Sequence, residues 1–258
     1  MIRLVFALRR QSGMSVEEFQ DYWRNQHGPL VAGFATDLNI LRYVQTHTLA
    51  TPANESAQQA RGNMEPHYDG VAELWWESER LLEATMDSDA GRAAGAALLE
   101  DEAKFIDLPN SPLWFAYEYP QINPAPETVL AYPKSNIVRI FFPLRHLESL
   151  TEDEARHYWL THHGPIVRSY AMATRTLCYR QVHNANHPLE QVVREARGTT
   201  VPTYLGHAEA WTDMGLGRAT EESRRAGKAF IEDEKNFIDF ARSTFLFGKE
   251  HTIIDRRF

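Results

Sequence analysis

Two histidines occupy matching places in a repeated motif and could transfer protons near neutral pH. His27 lies in the segment Tyr-Trp-Arg-Asn-Gln-His-Gly-Pro-Leu-Val that begins at Tyr22, and His163 lies at the same place in a second copy that begins at Tyr158. An imidazole titrates close to about pH 7, so it can act as a general acid or a general base. A histidine at a helix C-terminus can equally serve as a capping cation. We interpret His27 and His163 as candidate catalytic residues, with capping as the alternative.

Polar side chains alternate along one predicted strand in each copy. They are Tyr43, Gln45, His47, Tyr179, Gln181 and His183. Residues two apart point to the same face of a strand, and convergent polar groups on such a face are typical of a mostly apolar ligand pocket. The alternative is that they satisfy one another inside the fold. Tyr22 and Tyr158 add hydroxyls that could bond a ligand, and we predict all of these as substrate-binding residues.

Two glutamates, Glu73 and Glu209, lie in predicted strands, each two residues before a tryptophan. A carboxylate in such apolar surroundings either pairs with a buried base or has a raised pKa. Arg3 and Arg139, on the first predicted strand of each copy, are the natural partners. We predict the ion pairs Arg3–Glu73 and Arg139–Glu209. Both glutamates also remain candidate substrate-binding residues. With a raised pKa, either carboxyl could act as a general acid.

The histidine and cysteine content does not form a metal-binding pattern. His157, His162 and His163 cluster, but the first copy has only His27 at the corresponding positions. There is no His-Glu-x2-His motif and no cysteine pair, since Cys178 is the lone cysteine. No glycine-rich dinucleotide or phosphate-binding signature is present either. We therefore expect no metal and no cofactor.

These candidate residues belong to a repeat that spans nearly the whole chain. The copies align at an offset of 136 residues from Arg3 and Arg139 onward, and at an offset of 132 where 100–107 matches 232–239. A period this long is a whole domain, because solenoid units repeat every roughly 20–50 residues. Two copies of one fold predict a covalently linked pseudo-dimer with two related sites. The copies differ at some positions, such as Val71 against His207, so one site could be active and the other structural.

Each copy begins with a strand and a capped helix. Alternating apolar residues over 2–9 predict a half-buried strand. Capping boxes that start at Ser15 and Thr151 predict helices from about 16 and 152. We expect His-Gly-Pro to break or kink these helices, because glycine is permissive and the residue before proline avoids the helical region.

Further elements follow in the same order in both copies. In the first copy we predict a strand at 40–49, a loop at 50–66, a strand at 70–76, helical structure over about 78–107 that breaks near 89–91, and a strand at 114–119. In the second copy we predict a loop at 184–203, a strand at 206–212, a helix at about 219–240 and a strand at 244–247.

The order β-α-β-β-α-β in each copy is the ferredoxin-like order. An antiparallel sheet with helices on one face leaves its other face uncovered. We therefore predict an α+β fold in which two ferredoxin-like repeats pack sheet-to-sheet. The predicted division is a domain at 1–119, a proline-rich linker at 120–136 and a second domain at 137–258.

Composition excludes several classes of protein. The chain has 258 residues and a net charge of −8, which argues against a nucleic-acid partner, because such a partner favours a basic face. No apolar run reaches the roughly 18 residues of a membrane-spanning helix, and the N-terminus lacks the features of a secretory signal. A single cysteine fits a reducing compartment. We expect a cytoplasmic protein with neither a nucleic-acid nor a membrane partner.

Two motifs resemble those of the EthD family in the dimeric α+β barrel superfamily. They are Phe-x2-Tyr-Trp-x3-His-Gly-Pro, which begins at Phe19, and Asp-Glu-x2-Phe-Ile-Asp, which begins at Asp101. The first recurs in the second half from Tyr158 onward, and the second recurs there in full. EthD-like proteins are usually single domains that dimerise, so this chain resembles a fused pair, with further homodimerisation left open. The resemblance implies an intramolecular dimeric α+β barrel and a loose link to oxidoreductase systems. The superfamily includes cyclases, isomerases, monooxygenases and haem enzymes, so the fold does not choose the reaction.

Two main classes of function follow. The first is a cofactor-free acid–base enzyme that cyclises, isomerises or decarboxylates a hydrophobic aromatic or polyketide-like carbonyl compound, with His27 and His163 as proton shuttles. Its pocket would lie between the sheet and the helices. The second is an EthD-like accessory protein or small-molecule binder of a degradative oxidoreductase system. The superfamily prompts a third, a haem- or cofactor-dependent oxidoreductase in which a residue such as His163 would bind the haem.

Overall fold

Eight antiparallel strands close into one barrel. A computed structural model describes residues 1–123, 131–215 and 219–257. The first half supplies β1 (Ile2–Leu8), β2 (Arg42–Thr48), β3 (Gly70–Trp76) and β4 (Leu113–Ile122), and the second half supplies β5 (Ile137–Leu144), β6 (Thr176–Asn184), β7 (Gly206–Asp213) and β8 (Leu246–Asp255). Their order around the barrel is β1-β3-β2-β8-β5-β7-β6-β4. The predicted mixture of helices and strands around a barrel is confirmed.

The barrel closes through two seams between the halves. Strand β2 pairs with β8, and β4 pairs with β6, both antiparallel. The halves therefore join edge to edge within the closed barrel, in addition to the sheet-to-sheet packing that we predicted. The seam also explains why β8 extends beyond the predicted 244–247, since it pairs along the whole of β2. Closure leaves no unpaired strand edge, so each half satisfies the edges of the other.

Helices cover the outside of the barrel. They are α1 (Val16–Tyr22), α2 (Gly28–Gly33), α3 (Pro52–Gln59), α4 (Glu79–Asp87), α5 (Asp89–Glu102), α6 (Glu152–Tyr158), α7 (Gly164–Ser169), α8 (Ala171–Thr174), α9 (Leu189–Arg197) and α10 (Glu221–Glu234). Both predicted capping boxes are present, at Ser15 and Thr151. The predicted break near 89–91 falls at Ser88, which is extended and caps α5. Among the described residues, no helix combines the length and the apolar character needed to cross a bilayer.

The helix expected to break at His-Gly-Pro continues instead. Trp23–His27 forms a π turn between α1 and α2, and Trp159–His163 forms the matching π turn between α6 and α7. The N–H of Gly28 bonds to the Trp23 carbonyl, five residues back, which is the spacing of a π turn. Pro29 has no N–H to donate. Its missing bond therefore falls where the hydrogen-bond spacing returns to that of an α-helix.

Two segments predicted as loops contain helices that reach the opposite half. The first segment includes α3, and the second includes α9. Arg61, just after α3, bonds to Glu234 of the second half at 2.8 and 2.9 Å. Arg197 of α9 bonds to Glu102 of the first half at 2.8 and 2.9 Å. The apolar residues of these crossing segments pack against the core of the other repeat.

The predicted linker at 120–136 overlaps the barrel. Strand β4 continues to Ile122 and so includes the start of that segment. Residues 124–130 of the predicted linker lie outside the described residues. The division into two domains stays a prediction.

Four charged side chains, two from each half, form a closed ring inside the barrel. Strand alternation points Arg3, Glu73, Arg139 and Glu209 inward, and none is more than 1% exposed. Arg3 bonds to Glu73 at 2.9 Å and also to Glu209. Arg139 bonds to Glu73 at 2.8 Å and lies 3.0 Å from Glu209. Both predicted ion pairs are confirmed, and each arginine also binds the glutamate of the other half.

The surroundings of this ring favour its charged state. Arg3 lies over the ring of Trp75 at 5.3 Å, and Arg139 lies over Trp211 at 5.1 Å, so each cation also meets an aromatic face. Burial favours a neutral Glu209, but the two guanidinium groups outweigh it and hold the pKa of that carboxyl well below its ordinary value. The carboxylate therefore stays ionised in the folded protein.

We expect Glu73→Gln to lower the free energy of unfolding by about 3–5 kcal/mol, because removing one partner leaves uncompensated buried charge. Urea unfolding of the variant and the wild type measures the difference. Glu232→Gln is the matched control, since it breaks an exposed pair with Lys235 and should leave stability unchanged. Equal stability of Glu73→Gln and the wild type would show that the ring does not hold the barrel together.

Candidate functional site

Each half has a cavity between the outer face of the barrel and its helices. The first cavity has a volume of about 350 Å³, and the second has a volume of about 260 Å³. The apolar wall of the first includes Leu4, Phe6, Leu74, Trp76, Leu98 and Phe115. Helix α9 of the second half contributes Val192, Val193, Ala196 and Arg197 to that same cavity. A concave, mostly apolar cavity with few polar groups is the usual form of a small-molecule site.

His27 lines the first cavity and is held by a carboxylate. Its Nδ1 lies 2.9 Å from Oδ2 of Asp101, and the Tyr22 hydroxyl donates to Oδ1 of Asp101 at 2.7 Å. Lys104 bonds to the same Oδ1 at 3.1 Å. A carboxylate only accepts hydrogen bonds, so the imidazole hydrogen lies on Nδ1. The other nitrogen, Nε2, is then the one able to accept a proton.

The second half repeats this arrangement around the second cavity. His163 lines that cavity, and its Nδ1 lies 2.8 Å from Oδ2 of Asp233. The Tyr158 hydroxyl donates to Oδ1 of Asp233 at 2.8 Å, and Asn236 donates to that hydroxyl at 3.1 Å. Two His–Asp–Tyr groups therefore lie at related positions in one chain.

Asp101 and Tyr22 keep the protonation states that hold the His27 ring in place. Burial raises the pKa of Asp101, but hydrogen bonds from Tyr22, His27 and Lys104 outweigh it and lower that pKa below its ordinary value. Burial, together with the neighbouring Asp101, raises the pKa of Tyr22 to about 12. The carboxylate thus stays ionised and the phenol stays a donor near neutral pH.

Tyr22 and Tyr158 were predicted to bind substrate, but their hydroxyls bond to the aspartates. Neither residue lines its cavity, because each hydroxyl is directed at an aspartate on the far side of the histidine. The aspartates themselves were missed as site residues. Asp101 and Asp233 appear in the repeated acidic-aromatic motif, and that repetition is the signal that could have identified them.

Tyr43 lines the first cavity with a hydroxyl whose oxygen is already occupied. Trp23 Nε1 donates to it at 2.9 Å, and Gln45 Nε2 donates to it at 3.0 Å. No described residue accepts the hydroxyl hydrogen. Burial raises the pKa of Tyr43 although both donors act in the opposite direction, so the phenol keeps its proton. Tyr179 lines the second cavity in the same way.

Gln45 and His47 support the π turn and do not line the cavity, in contrast to our prediction. Gln45 donates to the Trp23 carbonyl at 2.8 Å and bonds to His47 Nε2 at 3.0 Å. The His47 ring stacks on Trp23 at 4.7 Å. Gln181 and His183 repeat these contacts in the second half. Strand alternation places the tyrosine, glutamine and histidine of each half on one face. The helix that packs on that face separates the glutamine and the histidine from the cavity, and only the tyrosine reaches it.

The glycine after each histidine leaves room for the glutamine of the same half to approach closely. A Cβ on Gly28 would lie 3.2 Å from Gln45 Nε2, and a Cβ on Gly164 would lie 3.0 Å from Gln181 Nε2. Such separations are tighter than an ordinary van der Waals contact. The His-Gly-Pro motif thus combines a ring held by aspartate, a close approach of glutamine and the end of the π turn.

Glu73 and Glu209 also depart from their predicted role as substrate-binding residues. They point into the barrel, whereas the cavities lie outside it, because neighbouring residues on a strand face opposite sides. Together with His207 they bring ligand-type atoms within 4.8 Å of one another. Arg3 and Arg139 already bond to both carboxylates. A metal ion placed there would meet two guanidinium groups, so the ring accounts for this cluster.

Comparison with known proteins gives one family match and several structural relatives. The EthD domain matches residues 11–109 and 147–241. A candidate monooxygenase from Fusobacterium nucleatum aligns over 97% of this chain and 93% of its own, with a TM-score of 0.53 and 8% identity. A candidate chlorite dismutase aligns over 98% of this chain and 95% of its own, with a TM-score of 0.51 and 8% identity. At such low identity these two show the fold alone.

A protein of the ethyl tert-butyl ether d (EthD) family from Bacillus halodurans is similar to part of the chain. It aligns over 46% of this chain and 100% of its own, with 20% identity and a TM-score of 0.32. No curated protein matches the sequence significantly.

The buried histidines behind the π turns should make the protein less stable in acid. Burial lowers the pKa of His47 and of His183 to about 3, whereas an unfolded histidine titrates near about 6.5. Between these values the unfolded chain takes up protons that the folded protein does not. The unfolding free energy should therefore fall as pH decreases below about 6.5, and these groups should have no effect above it.

Urea unfolding over this pH range, for the wild type and for His47→Gln/His183→Gln, tests this expectation. The double variant should have a shallower pH dependence, by at most about 1.4 kcal/mol per pH unit for each histidine. His157→Gln, at an exposed position, is the control and should keep the slope of the wild type. Parallel curves for the double variant and the wild type would contradict the expectation.

Proposed function

This chain belongs to the EthD family, with two copies of the domain, and from that premise we propose that it is a cofactor-free acid–base enzyme. Its substrate is a hydrophobic carbonyl compound of the aromatic or polyketide-like class, and the reaction is an isomerisation, cyclisation or decarboxylation through an enolate. The two halves act as ferredoxin-like repeats of an intramolecular dimeric α+β barrel. The first cavity is the principal site, because it is the larger and the more apolar.

The observation that carries this proposal is the pairing of one donor and one base in the same cavity. The Tyr43 oxygen accepts two hydrogen bonds, so its own hydrogen is available to a carbonyl oxygen of the substrate. His27 has its Nδ1 engaged by Asp101, so Nε2 is available as the base. Both residues line the first cavity.

The reaction begins with proton transfer. Nε2 of His27 takes a proton from the carbon beside the carbonyl, the C–H electron pair forms the enolate, and the charge develops on the oxygen bonded by Tyr43. The two N–H donors on the Tyr43 oxygen polarise its O–H bond and strengthen that interaction. Asp101 stabilises the imidazolium and keeps the ring oriented. Return of the proton to a different carbon completes an isomerisation.

Cyclisation and decarboxylation use the same groups. In a cyclisation the enolate carbon attacks a second carbonyl of the same molecule, and the imidazolium protonates the new alkoxide. In a decarboxylation, Nε2 of His27 takes the carboxyl proton of a β-keto acid, the carboxylate loses carbon dioxide to leave the enolate, and the imidazolium then protonates the enolate on carbon. The apolar walls bring the reacting carbons together and keep water away. No step needs a metal ion or a redox cofactor.

A second candidate is an accessory or carrier protein that binds a hydrophobic molecule without converting it. The observation in its favour is the apolar wall of the cavity, which would bind such a ligand even if His27 served only to stabilise its helix. The names of the two structural relatives prompt a third candidate, a haem- or cofactor-dependent oxidoreductase. A visible absorption spectrum of the purified protein distinguishes that candidate from the other two.

We expect the wild type to exchange the hydrogens beside the carbonyl of aryl ketones for deuterium in D2O, which proton NMR follows directly. His27→Gln should slow this exchange by roughly 100-fold to 10,000-fold. Tyr43→Phe should slow it by roughly 100-fold to 1,000-fold, as loss of an oxyanion donor does elsewhere. Thermal-shift binding of the same ketones should survive both changes.

The corresponding variants of the second half, His163→Gln and Tyr179→Phe, are the matched controls. If the first cavity is the principal site, they should lower the exchange rate much less than the first pair. Circular dichroism verifies that all four variants are folded. Binding of ketones with no exchange above the background rate would favour the carrier, and equal exchange by the wild type and His27→Gln would refute the assigned base.

A further inference from the structure

The two cavities share the His–Asp–Tyr group but differ along one wall. Leu38 and Trp76 line the first cavity at that wall. At an offset of 136 residues, Leu38, Ile40 and Trp76 align with Thr174, Thr176 and Thr212 of the second half. All three threonines line the second cavity. Three apolar residues in one repeat thus correspond to three hydroxyl-bearing residues in the other.

The hydroxyl hydrogens on this wall are used within the protein. Thr174 donates to the Tyr170 carbonyl at 2.9 Å, and a carbonyl can only accept. Thr176 must then be the donor in its 2.8 Å bond with the Thr174 hydroxyl. Thr212 donates to the Thr174 carbonyl at 3.2 Å. The oxygens of Thr176 and Thr212 therefore present lone pairs that can accept hydrogen bonds from a ligand.

The first cavity has no hydroxyl at these three aligned positions. It is lined by Thr85, whose hydroxyl bonds to the Leu38 carbonyl at 3.0 Å and already accepts a hydrogen bond from Asn39 at 3.0 Å. The Trp76 indole donates to the Leu38 carbonyl at 2.8 Å, which is the bond that Thr212 makes to the corresponding carbonyl. Indole nitrogen is a donor only, so the rest of the Trp76 side chain adds apolar surface. The same backbone carbonyl, that of Leu38 or Thr174, thus holds an apolar side chain in the first half and a hydrogen-bond acceptor in the second.

The second cavity also suits an uncharged ligand of smaller size. Its charged lining residues Arg61 and Glu234 bond to each other at 2.8 and 2.9 Å, so their charges are compensated. Its volume is about 260 Å³, against about 350 Å³ in the first half. Phe230, which aligns with Leu98, contributes to this narrower space.

We propose that the second cavity is a separate binding site for a small, neutral, hydroxyl-bearing carbonyl compound. The ligand hydroxyls donate to Thr176 and Thr212, and the Tyr179 hydroxyl donates to the ligand carbonyl oxygen. The first cavity, which lacks the threonines, takes the apolar relatives of that compound. This assignment concerns binding alone and goes beyond the proposed function, because it requires no turnover in either half.

Isothermal titration calorimetry with two probes tests the assignment. Trihydroxyacetophenone carries donor hydroxyls, and acetophenone is its counterpart without them. Thr176→Val/Thr212→Val keeps the shape of the wall and removes both acceptors. We expect this double variant to bind trihydroxyacetophenone about tenfold more weakly, in line with two hydrogen bonds lost, and to bind acetophenone with unchanged affinity.

Two control variants separate the threonine hydroxyls from general effects on the fold. Thr212→Ser keeps a hydroxyl and should retain binding of trihydroxyacetophenone. Thr200→Val removes a hydroxyl at an exposed position and should bind both probes as the wild type does. If the double variant fails to fold, Thr176→Val and Thr212→Val are measured singly, with a smaller loss expected from each.

The proposal is overturned if trihydroxyacetophenone does not bind the wild type, or if the valine variants bind it unchanged. His27→Gln distinguishes this failure from failure of the proposed function. That variant should lose deuterium exchange in the first cavity and keep the threonine-dependent binding of trihydroxyacetophenone. Loss of that binding in His27→Gln would place the probe in the first cavity and would likewise overturn the proposal.

Discussion

The ring of two arginines and two glutamates inside the barrel is the constraint on which the rest of the structure depends. Buried charges are tolerated only when each is paired, and here each arginine reaches a glutamate of both halves. The pairing fixes the strand register, with Val5 opposite Glu73 in one half and Phe141 opposite Glu209 in the other. If one of these strands slipped by one residue, its charged side chain would face the cavity and its apolar wall residues would face the inside of the barrel. The charged ring inside the barrel and the apolar cavities outside it are therefore two results of one alternation.

The groups that face a ligand are few, and a larger set holds them in place. In the first half, an aspartate orients the histidine, while a glutamine and a tryptophan together orient the tyrosine. The glutamine also bonds the carbonyl at the start of the π turn. Of these positioning residues, Trp23 also lines the cavity, whereas Asp101 and Gln45 do not. Such fixed positioning limits the reorganisation needed when a proton moves.

The sequence predicted those features that depend on local pattern or on repetition. Strand β3, both capping boxes, the break at Ser88 and the pairing of Arg3 with Glu73 follow from alternation, short spacing or residue chemistry. Features that depend on distant parts of the chain were not predicted. Asp101 meets His27 across 74 residues, and α9 finds its apolar contacts on the other repeat. A local rule for proline could not anticipate the π turn, because the carbonyl at its start also accepts a hydrogen bond from Gln45, 22 residues along the chain.

The crossing of α3 and α9 between the halves has a consequence for how such a chain can evolve. In a dimer of identical subunits, any substitution in the crossing segment would alter both cavities at once. In the fused chain, a substitution in α9 alters the first cavity alone, and a substitution at Arg61 alters the second alone. In the fused chain, the segment that covers one cavity can therefore change without changing the segment that covers the other. Each can diverge while the ring at the centre keeps the barrel closed.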